Sequence, residues 1–424
     1  MSDQSKAGIS RRAFAQATAA AASAAILTSK SGIAATNGET IKIGLIGCGG
    51  RGTGAAINCL EGNTNIKLVA MADILDYQLA DSLKKISGHG NPQVSSQCDV
   101  SPEMQFVGVE AYKEILKTDV DIIIHATTPY IRPKHIEAIV DAGKHIFTEK
   151  PAAVDPVGIR QFIAASKKAE EKKLCIVTGT QRRHQKSYVD TIKQIQDGAI
   201  GDVMSAQAYW NGTLPFTRDR QPGWSDLEDR LRNWYAHCWV MGDNIVEQHI
   251  HNLDVINWVM GGPPAKVYAS GGRVWKHLEP NPEKYGDLWD HFSCDYEYAN
   301  GVHLTSMCRH WAQECTQRVA ENVVGTKGIS NCHDMAKDDI NPYVQEHMDL
   351  LAAVRGDAPY INEGVRCAES TMTAIMGRMS AYTGMELTWE DALNSDLSIV
   401  PEVLSFDLEY PVGAVPVPAG MPKA

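Results

Sequence analysis

The strongest constraint on this chain is a glycine-rich loop that joins a predicted apolar strand, Ile41–Ile46, to a predicted helix. Residues 47–52 have the spacing G-x-G-x-x-G, and a strand before and a helix after raise this motif above chance. Gly47 permits the tight turn, Gly49 lets backbone amides approach a pyrophosphate, and Gly52 lets the helix pack closely on the strand. The loop therefore predicts a dinucleotide-binding fold.

A carboxylate at the end of the next predicted strand, Lys67–Ala72, indicates which dinucleotide is bound. Asp73 can accept hydrogen bonds from the ribose hydroxyls of an adenosine, and its charge would repel a 2′-phosphate. NAD(H) is therefore predicted as the cofactor rather than NADP(H). A helix-capping or turn role is the alternative for Asp73.

Strand-like and helix-like segments alternate through the first half of the chain, which predicts a doubly wound parallel sheet. Further strands of this sheet are predicted at Val120–His125, His145–Thr148 and Leu174–Thr178. The helices between them are predicted at Tyr112–Leu116, Lys134–Ala142 and Gly158–Lys172.

After Thr178 the pattern changes to alternating apolar and polar residues, typical of a mixed or antiparallel sheet. The predicted elements are strands at Val203–Trp210, Ala265–Gly271, Phe292–Tyr298 and Val302–Met307 and a helix at Ile250–Val259. We therefore expect an α/β chain with an NAD-binding Rossmann domain at residues 36–180. A substrate-binding α+β domain with an open, mainly antiparallel sheet is expected at 181–408, and an extended arm at 409–424.

The first 35 residues have the pattern of a twin-arginine export signal. Arg11 and Arg12 precede a weakly apolar, alanine-rich stretch, and small residues follow near Ala35. A surface helix is the alternative interpretation, but an alanine tract would bury little apolar area. We expect cleavage near Ala35 and export of a folded protein to the periplasm.

Composition excludes several classes of protein. The 424 residues suffice for two or three domains, and 44% apolar with 21% charged residues is typical of a chain with a large core. A formal net charge of −11 without a basic stripe argues against a nucleic-acid partner. No apolar run approaches the roughly 20 residues that span a bilayer. The ten cysteines contain no C-x-x-C pair, which argues against a disulfide scaffold or a cysteine-rich metal site.

The turn Thr127–Pro129, followed by His135, and the motif Glu149-Lys150-Pro151 carry a family resemblance. With the glycine-rich loop, they resemble the glucose–fructose oxidoreductase / inositol dehydrogenase (Gfo/Idh/MocA) family over residues 40–395, near its exported, NAD-dependent N-acetylgalactosaminidase-like members. The resemblance implies that Lys150 reaches the reacting hydroxyl and the nicotinamide, as an ammonium that polarises oxygen. The expected cofactor contacts are Gly47, Gly49, Gly50, Arg51, Gly52, Asp73, Thr127, Pro129, His135, Glu149 and Lys150.

The same resemblance implies a catalytic acid and histidine at Glu247 and His251. Four residues apart on a helix, both side chains share one face. His251 is then the expected proton acceptor, with Glu247 orienting it or contacting a neighbouring hydroxyl. A helix-face histidine that packs or caps is the alternative.

Two departures from the family pattern lie in this segment, where Glu247 replaces the usual Asp and His249 the usual Gly. His249 is expected to hydrogen-bond the substrate or to have a structural role. No metal is predicted, with one alternative: in an extended segment, Glu247, His249 and His251 would share a face and supply three ligands to a divalent ion.

Basic and aromatic residues after Thr178 are candidate substrate contacts. Arg182, Arg183 and His184 face the crevice between the domains in the family layout, although a solvated basic turn is equally consistent with them. All nine tryptophans follow residue 209, and aromatic rings stack on the C–H faces of sugars. Trp210, Trp234, Tyr235 and Trp239 flank the Glu247–His251 segment, and Trp234 and Tyr235 are the expected substrate contacts. Packing in a sheet core is the alternative, and it is the more common role for any single tryptophan.

These features predict an NAD-dependent oxidoreductase that acts on a secondary hydroxyl of a sugar, glycoside or cyclitol, with a 3-keto sugar as one product. An exported enzyme must retain and recycle its cofactor. A redox-neutral glycosidase that works by oxidation, elimination and reduction is therefore an alternative. A non-catalytic nucleotide or sugar sensor is the second alternative. By resemblance, a homodimer or homotetramer is expected.

Overall fold

Two β-sheets organise the residues that the computed structural model describes, which are 39–279 and 282–418. The predicted export signal and the end of the predicted arm lie outside these described residues. None of the helices within the described ranges has the length and apolar character needed to cross a bilayer.

The first sheet is six-stranded and parallel, in the order β3-β2-β1-β4-β5-β6. Its strands are β1 (Ile41–Ile46), β2 (Ile66–Asp73), β3 (Gln105–Val107), β4 (Ile122–His125), β5 (His145–Thr148) and β6 (Ile176–Thr178). This is the strand order of the Rossmann fold, so the predicted doubly wound sheet is confirmed. All four residues of β4 and of β5 are buried, because helices cover both faces of a parallel sheet.

The second sheet has seven strands in the order β12-β11-β7-β10-β9-β8-β13, all antiparallel pairs except β7 with β10. The strands are β7 (Val203–Gly212), β8 (Lys266–Gly272), β9 (His291–Glu297), β10 (His303–His310), β11 (Arg318–Gly325), β12 (Ile329–Ser330) and β13 (Leu387–Thr388). Burial alternates along β10, so one face packs inward and the other is exposed. The predicted open, mainly antiparallel sheet is confirmed.

Fifteen α-helices lie within the described residues. They are α1 (Gly50–Gly62), α2 (Asp76–Ser87), α3 (Pro92–Ser96), α4 (Ala111–Ile115), α5 (Arg132–Asp141), α6 (Pro156–Glu171), α7 (Lys186–Gln196), α8 (Asp226–Arg232), α9 (Cys238–Met241), α10 (Asn244–Glu247), α11 (Ile250–Met260), α12 (Trp275–Leu278), α13 (Pro342–Arg355), α14 (Gly364–Thr383) and α15 (Trp389–Leu393).

Several elements, including strand β11 and helices α13 and α14, have no counterpart in the sequence-based prediction. Helix α14 packs between the sheets, and many of its buried residues are Ser, Thr, Cys, Ala or Gly rather than large apolar residues. It therefore lacks the apolar stripe by which a surface helix is recognised. Helix α13 packs against the first half of the chain, where its residues Val344 and Met348 contact Gly62 at the end of α1.

Parallel strands bring their carboxyl ends to one edge of the first sheet. Gly47 follows β1, Asp73 ends β2, Thr127 follows β4, and Lys150 follows β5. Residues far apart in the chain therefore meet at this edge, where open α/β sheets bind ligands.

An ionic cluster centred on the buried His184 and Glu363 joins the first sheet to the later helices. His184 Nδ1 lies 2.6 Å from an Asp349 oxygen, and His184 Nε2 lies 3.4 Å from Glu363 Oε2. Glu363 also accepts a hydrogen bond of 2.9 Å from the backbone N–H of Thr178 at the end of β6. Burial disfavours the imidazolium, but Glu363 and Asp349 outweigh this and raise the pKa of His184 to about 10.

This cluster makes the free energy of unfolding depend on pH. Because the pKa of His184 rises from about 6.5 in the unfolded chain to about 10 in the fold, its contribution is complete below pH 6.5 and is lost as pH rises through 10. We expect His184→Asn to lower the free energy of unfolding by about 3 kcal/mol at pH 6, and by much less at pH 10. Urea unfolding at both pH values measures this, with the exposed His277→Asn as control. A pH-independent difference would contradict it.

Candidate active site

A cleft of about 390 Å³ lies at the carboxyl edge of the first sheet and is closed on its far side by residues of the second half. Its walls include the predicted residues Gly47, Gly49, Gly50, Arg51, Asp73, Thr127, His135, Glu149, Lys150, Trp234, Tyr235 and Glu247. The predicted residues Gly52, Pro129 and His251 are not among those that line the cleft, whereas Thr128 and Tyr130, the neighbours of Pro129, do line it.

The glycine loop has the geometry that a pyrophosphate requires. Gly47 has φ +93°, and a Cβ there would lie 2.6 Å from the carbonyl carbon of Ala126. A Cβ on Gly52 would lie 1.8 Å from the Gly47 oxygen, so the turn and the helix touch through backbone atoms. In contrast, a Cβ on Gly49 or Gly50 would meet no atom of the described residues within 4 Å. The open space therefore lies at the uncapped N-terminus of α1, where free N–H groups attract a phosphate.

Asp73 is fixed at the end of β2 by the backbone around it. Its Oδ2 accepts a 2.5 Å hydrogen bond from the N–H of Cys48, and its Oδ1 accepts one of 2.8 Å from the N–H of Leu75. Burial raises the pKa of Asp73, although these backbone donors oppose the shift. The carboxylate forms part of the cleft wall, so the residues present fit the ribose of a bound NAD.

Two buried histidines stand behind Thr127. His125 Nε2 lies 2.9 Å from Thr127 Oγ1 and 3.1 Å from His135 Nδ1, and the His135 ring stacks on Tyr112 with centroids 4.0 Å apart. Burial lowers the pKa of His135 to about 3, so its ring is neutral. The buried Nε2 of His135 has no hydrogen-bond partner among the described residues, which leaves it available to a group in the cleft.

The reacting end of the cleft is formed by Lys150 and Glu247, which are 97 positions apart in the chain. Lys150 Nζ donates to Glu247 Oε1 at 2.9 Å and to the Glu247 backbone oxygen at 2.5 Å. The Tyr235 hydroxyl donates to Glu247 Oε2. Glu247 therefore holds the Lys150 ammonium on the cleft wall, and the Tyr235 hydroxyl holds the Glu247 carboxylate in position.

Glu149 has a different role from its neighbour Lys150. Its Oε1 lies 3.1 Å from Arg51 Nε, and only 4% of the Glu149 side chain is exposed. Gly179 lies directly against it, because a Cβ there would be 2.4 Å from Glu149 Oε2. Glu149 therefore holds the Arg51 guanidinium beside the glycine loop.

His251 lies in the first turn of α11, and its ring stacks on Trp210 of β7 with centroids 5.8 Å apart. Burial, and then the positive charges of Lys150, Arg182 and Arg51, hold the pKa of His251 well below 6.5. The ring is therefore neutral, as a proton acceptor must be.

His249 faces the core instead of the cleft. It is fully buried, its Nε2 lies 2.7 Å from Ser306 Oγ, and burial lowers its pKa to about 3. This placement favours the structural role over contact with a substrate. The metal alternative required an extended segment, but helices α10 and α11 contain Glu247 and His251. Within residues 39–279 and 282–418, no group of three acidic, His or Cys side chains is arranged to hold an ion.

The three predicted basic residues after β6 are bound to acidic partners away from the cleft wall. Arg182 pairs with the buried Glu321, and Arg183 forms two hydrogen bonds of 2.8 and 2.9 Å to Asp254. His184 belongs to the ionic cluster with Asp349 and Glu363 described above. Their placement favours structural ion pairs over the predicted substrate contacts, whereas Trp234 and Tyr235 do line the cleft.

Two residues of the site have no signal in the sequence. The buried Arg132 donates to the carbonyl oxygens of Thr127 and Pro151 and so ties two strand ends together. Asp243 has φ +71° and accepts hydrogen bonds from the N–H of Asn244 at 2.7 Å and of Trp289 at 3.0 Å. It therefore sets the start of α10, which ends at Glu247.

Family models match both halves of the chain. An "Oxidoreductase family, NAD-binding Rossmann fold" model matches residues 41–178, and a "GFO/IDH/MocA C-terminal domain" model matches residues 188–330. The predicted NAD cofactor is confirmed by the first of these matches.

Curated relatives match at low identity, and this chain spans about half the length of the curated relatives it matches. An inositol 2-dehydrogenase/D-chiro-inositol 3-dehydrogenase of Halalkalibacterium halodurans is 23% identical, over 57% of this chain and 59% of the relative. A 2,7-anhydro-N-acetylneuraminate hydratase of Mediterraneibacter gnavus is 23% identical, over 50% of this chain and 51% of the relative.

Among solved structures, a scyllo-inositol dehydrogenase from Lactobacillus casei with NAD(H) and scyllo-inositol bound has the same fold, with a TM-score of 0.63. That match covers 83% of this chain and 100% of the other at 17% identity.

The glycine loop yields a matched pair of variants. We expect Gly52→Ala to lower the free energy of unfolding by about 3 kcal/mol, because its methyl group collides with the backbone of Gly47. Gly49→Ala meets open space, so it should leave stability nearly unchanged but weaken NAD binding at least about tenfold. Denaturant unfolding and NAD titration measure the two effects. Equal behaviour of the variants in both assays would contradict this.

Proposed function

We propose that this chain, which belongs to the GFO/IDH/MocA oxidoreductase family and has its NAD-binding Rossmann domain, oxidises a secondary hydroxyl of a sugar, glycoside or cyclitol. The observation that carries the proposal is the contact of Lys150 with Glu247 on the wall of the cofactor cleft. The positive charge of Lys150 also helps to keep His251, four positions after Glu247, neutral. The inositol dehydrogenases among the relatives support the substrate class.

Each residue of the site has a separate role in such a reaction. Bound NAD would accept the hydride of the carbinol carbon. Lys150 donates a hydrogen bond to the reacting oxygen and stabilises the negative charge that develops on it. Glu247 and Tyr235 hold Lys150 in place. The neutral imidazole of His251 accepts the hydroxyl proton.

We further propose that the protein acts after export, as a homo-oligomer. The paired Arg11 and Arg12 before an alanine-rich stretch support twin-arginine export. Because that route carries folded proteins, the enzyme would take its NAD with it and regenerate the cofactor in place. A 3-keto sugar is the product that we propose for the oxidation.

A redox-neutral reaction is the second candidate. The 2,7-anhydro-N-acetylneuraminate hydratase among the relatives has a reaction named for water addition rather than oxidation. A glycosidase that oxidises, eliminates, adds water and reduces again would use the same Lys150 and His251, and would return its NAD unchanged. It needs no pair of catalytic carboxylates.

The two candidates differ in their products. We expect denatured protein to release NAD, and the native protein to produce keto sugar and reduced cofactor from sugars or glycosides. Absorbance of the reduced cofactor and chromatography of the sugars measure this. Lys150→Ala should lower kcat/KM at least about 100-fold, and Lys167→Ala is the control, because this exposed residue of α6 does not line the cleft.

If the protein releases an aglycone without net reduction of NAD, the glycosidase activity replaces the dehydrogenase activity as the proposed function. Bound nucleotide without turnover, together with unchanged ligand affinity of Lys150→Ala, would favour a sensor.

The acidic limb of the pH profile reports on His251. Its lowered pKa keeps the ring neutral, and competent as a base, from well below pH 6.5 upward. We therefore expect kcat/KM for sugar oxidation to stay level as pH falls through 6.5 and to decline only below it. His251→Gln should cost about 100-fold or more in kcat/KM, and the exposed His303→Gln is the control. NMR titration of the imidazole is independent of turnover, and a midpoint at or above 6.5 would contradict the assignment.

A further inference from the structure

A second cavity, of about 760 Å³, opens at one end of the second sheet. Four aromatic rings line it, from the loop after β7, helix α12 and the segments that follow α12 and β10. They belong to Phe216, Trp275, Tyr285 and Trp311. This size is ordinary for a small-molecule site, and neither the cofactor nor the proposed proton transfer uses the cavity.

Glu247 connects to this cavity through one aromatic layer. The Tyr235 hydroxyl donates to Glu247, and the Tyr235 ring packs edge-on against Phe216 with centroids 5.1 Å apart. Tyr235 lines the cofactor cleft, while Phe216 lines the second cavity. The two spaces are therefore separated by the thickness of these rings.

Residues that follow Glu247 are also connected to the wall of the second cavity. Gln248 Oε1 accepts a 2.5 Å hydrogen bond from His310 Nε2, and the indole N–H of Trp275 donates to the His310 carbonyl at 2.6 Å. His251 stacks on Trp210, which is three positions before Thr213 on the cavity wall. Glu247, Gln248 and His251 are thus each connected to the cavity wall through one intervening residue, Tyr235, His310 or Trp210.

The chemistry of the wall selects for an uncharged sugar ring. Trp311 exposes 43% of its surface, and Trp275 and Tyr285 fix each other edge-to-face with centroids 5.2 Å apart. Such rings bind the C–H face of a pyranose, while Glu279 and His291 offer hydrogen bonds to its hydroxyls. The lining contains the carboxylate of Glu279 but neither Lys nor Arg among the described residues. The guanidinium of Arg309 lies over the Trp311 ring, 4.3 Å from its centroid, and the ammonium of Lys284 lies 4.9 Å from the Tyr285 centroid, so both cations are already paired with aromatic faces.

We propose that this cavity is a subsite for a second, uncharged sugar ring of the substrate, so that the protein acts on a disaccharide or glycoside in preference to a single ring. The inference rests on the proposed function and narrows its substrate class. The reacting ring lies at Lys150 and His251, and the second ring stacks in the cavity.

Equilibrium binding to the full-length, NAD-loaded protein tests the subsite without requiring turnover. The probes are maltose, cellobiose and lactose, each compared by calorimetry with glucose and galactose. We expect at least one disaccharide to bind more tightly than its component monosaccharides. Trp311→Ala should reduce that advantage about tenfold, because it removes a partly exposed aromatic ring from the cavity wall.

Tyr268→Ala is the matched control, since this aromatic ring is 58% exposed on the outer sheet face and lies outside the cavity. It should leave the affinity for every sugar unchanged. The subsite is overturned if no disaccharide binds more tightly than its monosaccharides, or if Trp311→Ala weakens both kinds of ligand equally. Binding that depends on Trp311 without reduction of NAD by any sugar would overturn the proposed oxidation and leave the subsite standing.

Discussion

The contact between Lys150 and Glu247 is the interaction on which the rest of the site depends. Lys150 follows β5 of the parallel sheet, whereas Glu247 ends a short helix that packs against the mixed sheet. Their 2.9 Å ion pair has side chains only 11% and 10% exposed. A pair so shielded from water is strong only when its geometry is fixed, and here the Tyr235 hydroxyl and a second bond from Lys150 fix it.

This arrangement divides the cleft into two electrostatic regions. At the glycine loop, the N-terminus of α1 and the Arg51 guanidinium attract a pyrophosphate, and Glu149 holds the arginine there. At the opposite end lies the ammonium of Lys150, whose charge, after burial, helps to keep the His251 imidazole neutral. The charges at the glycine loop are therefore separate from those proposed for proton transfer, although Lys150 and the loop both lie at strand ends of one sheet edge.

The second half of the chain closes the cleft with aromatic and aliphatic side chains, and Glu247 is the one charged residue that it adds to the lining within the described residues. Arg182 and Arg183 are bound to Glu321 and Asp254, so the guanidinium groups serve the packing of the fold. Trp234 and Tyr235 close the cofactor cleft, and Phe216 continues the same layer toward the second cavity. A wall of this kind suits ligands that present C–H faces and hydroxyls.

The sequence by itself determined the parallel sheet, its glycine loop and Asp73, because these depend on local spacing: a buried strand, a tight turn and a helix start. It also marked Lys150, Glu247 and His251 through family motifs. Only the tertiary structure decided that His249 is buried against Ser306, that Arg183 pairs with Asp254, and that α14 lies between the sheets. Those outcomes depend on partners 57 or more positions away, and no local pattern in a single sequence records which distant side chain will neutralise or bury a given group.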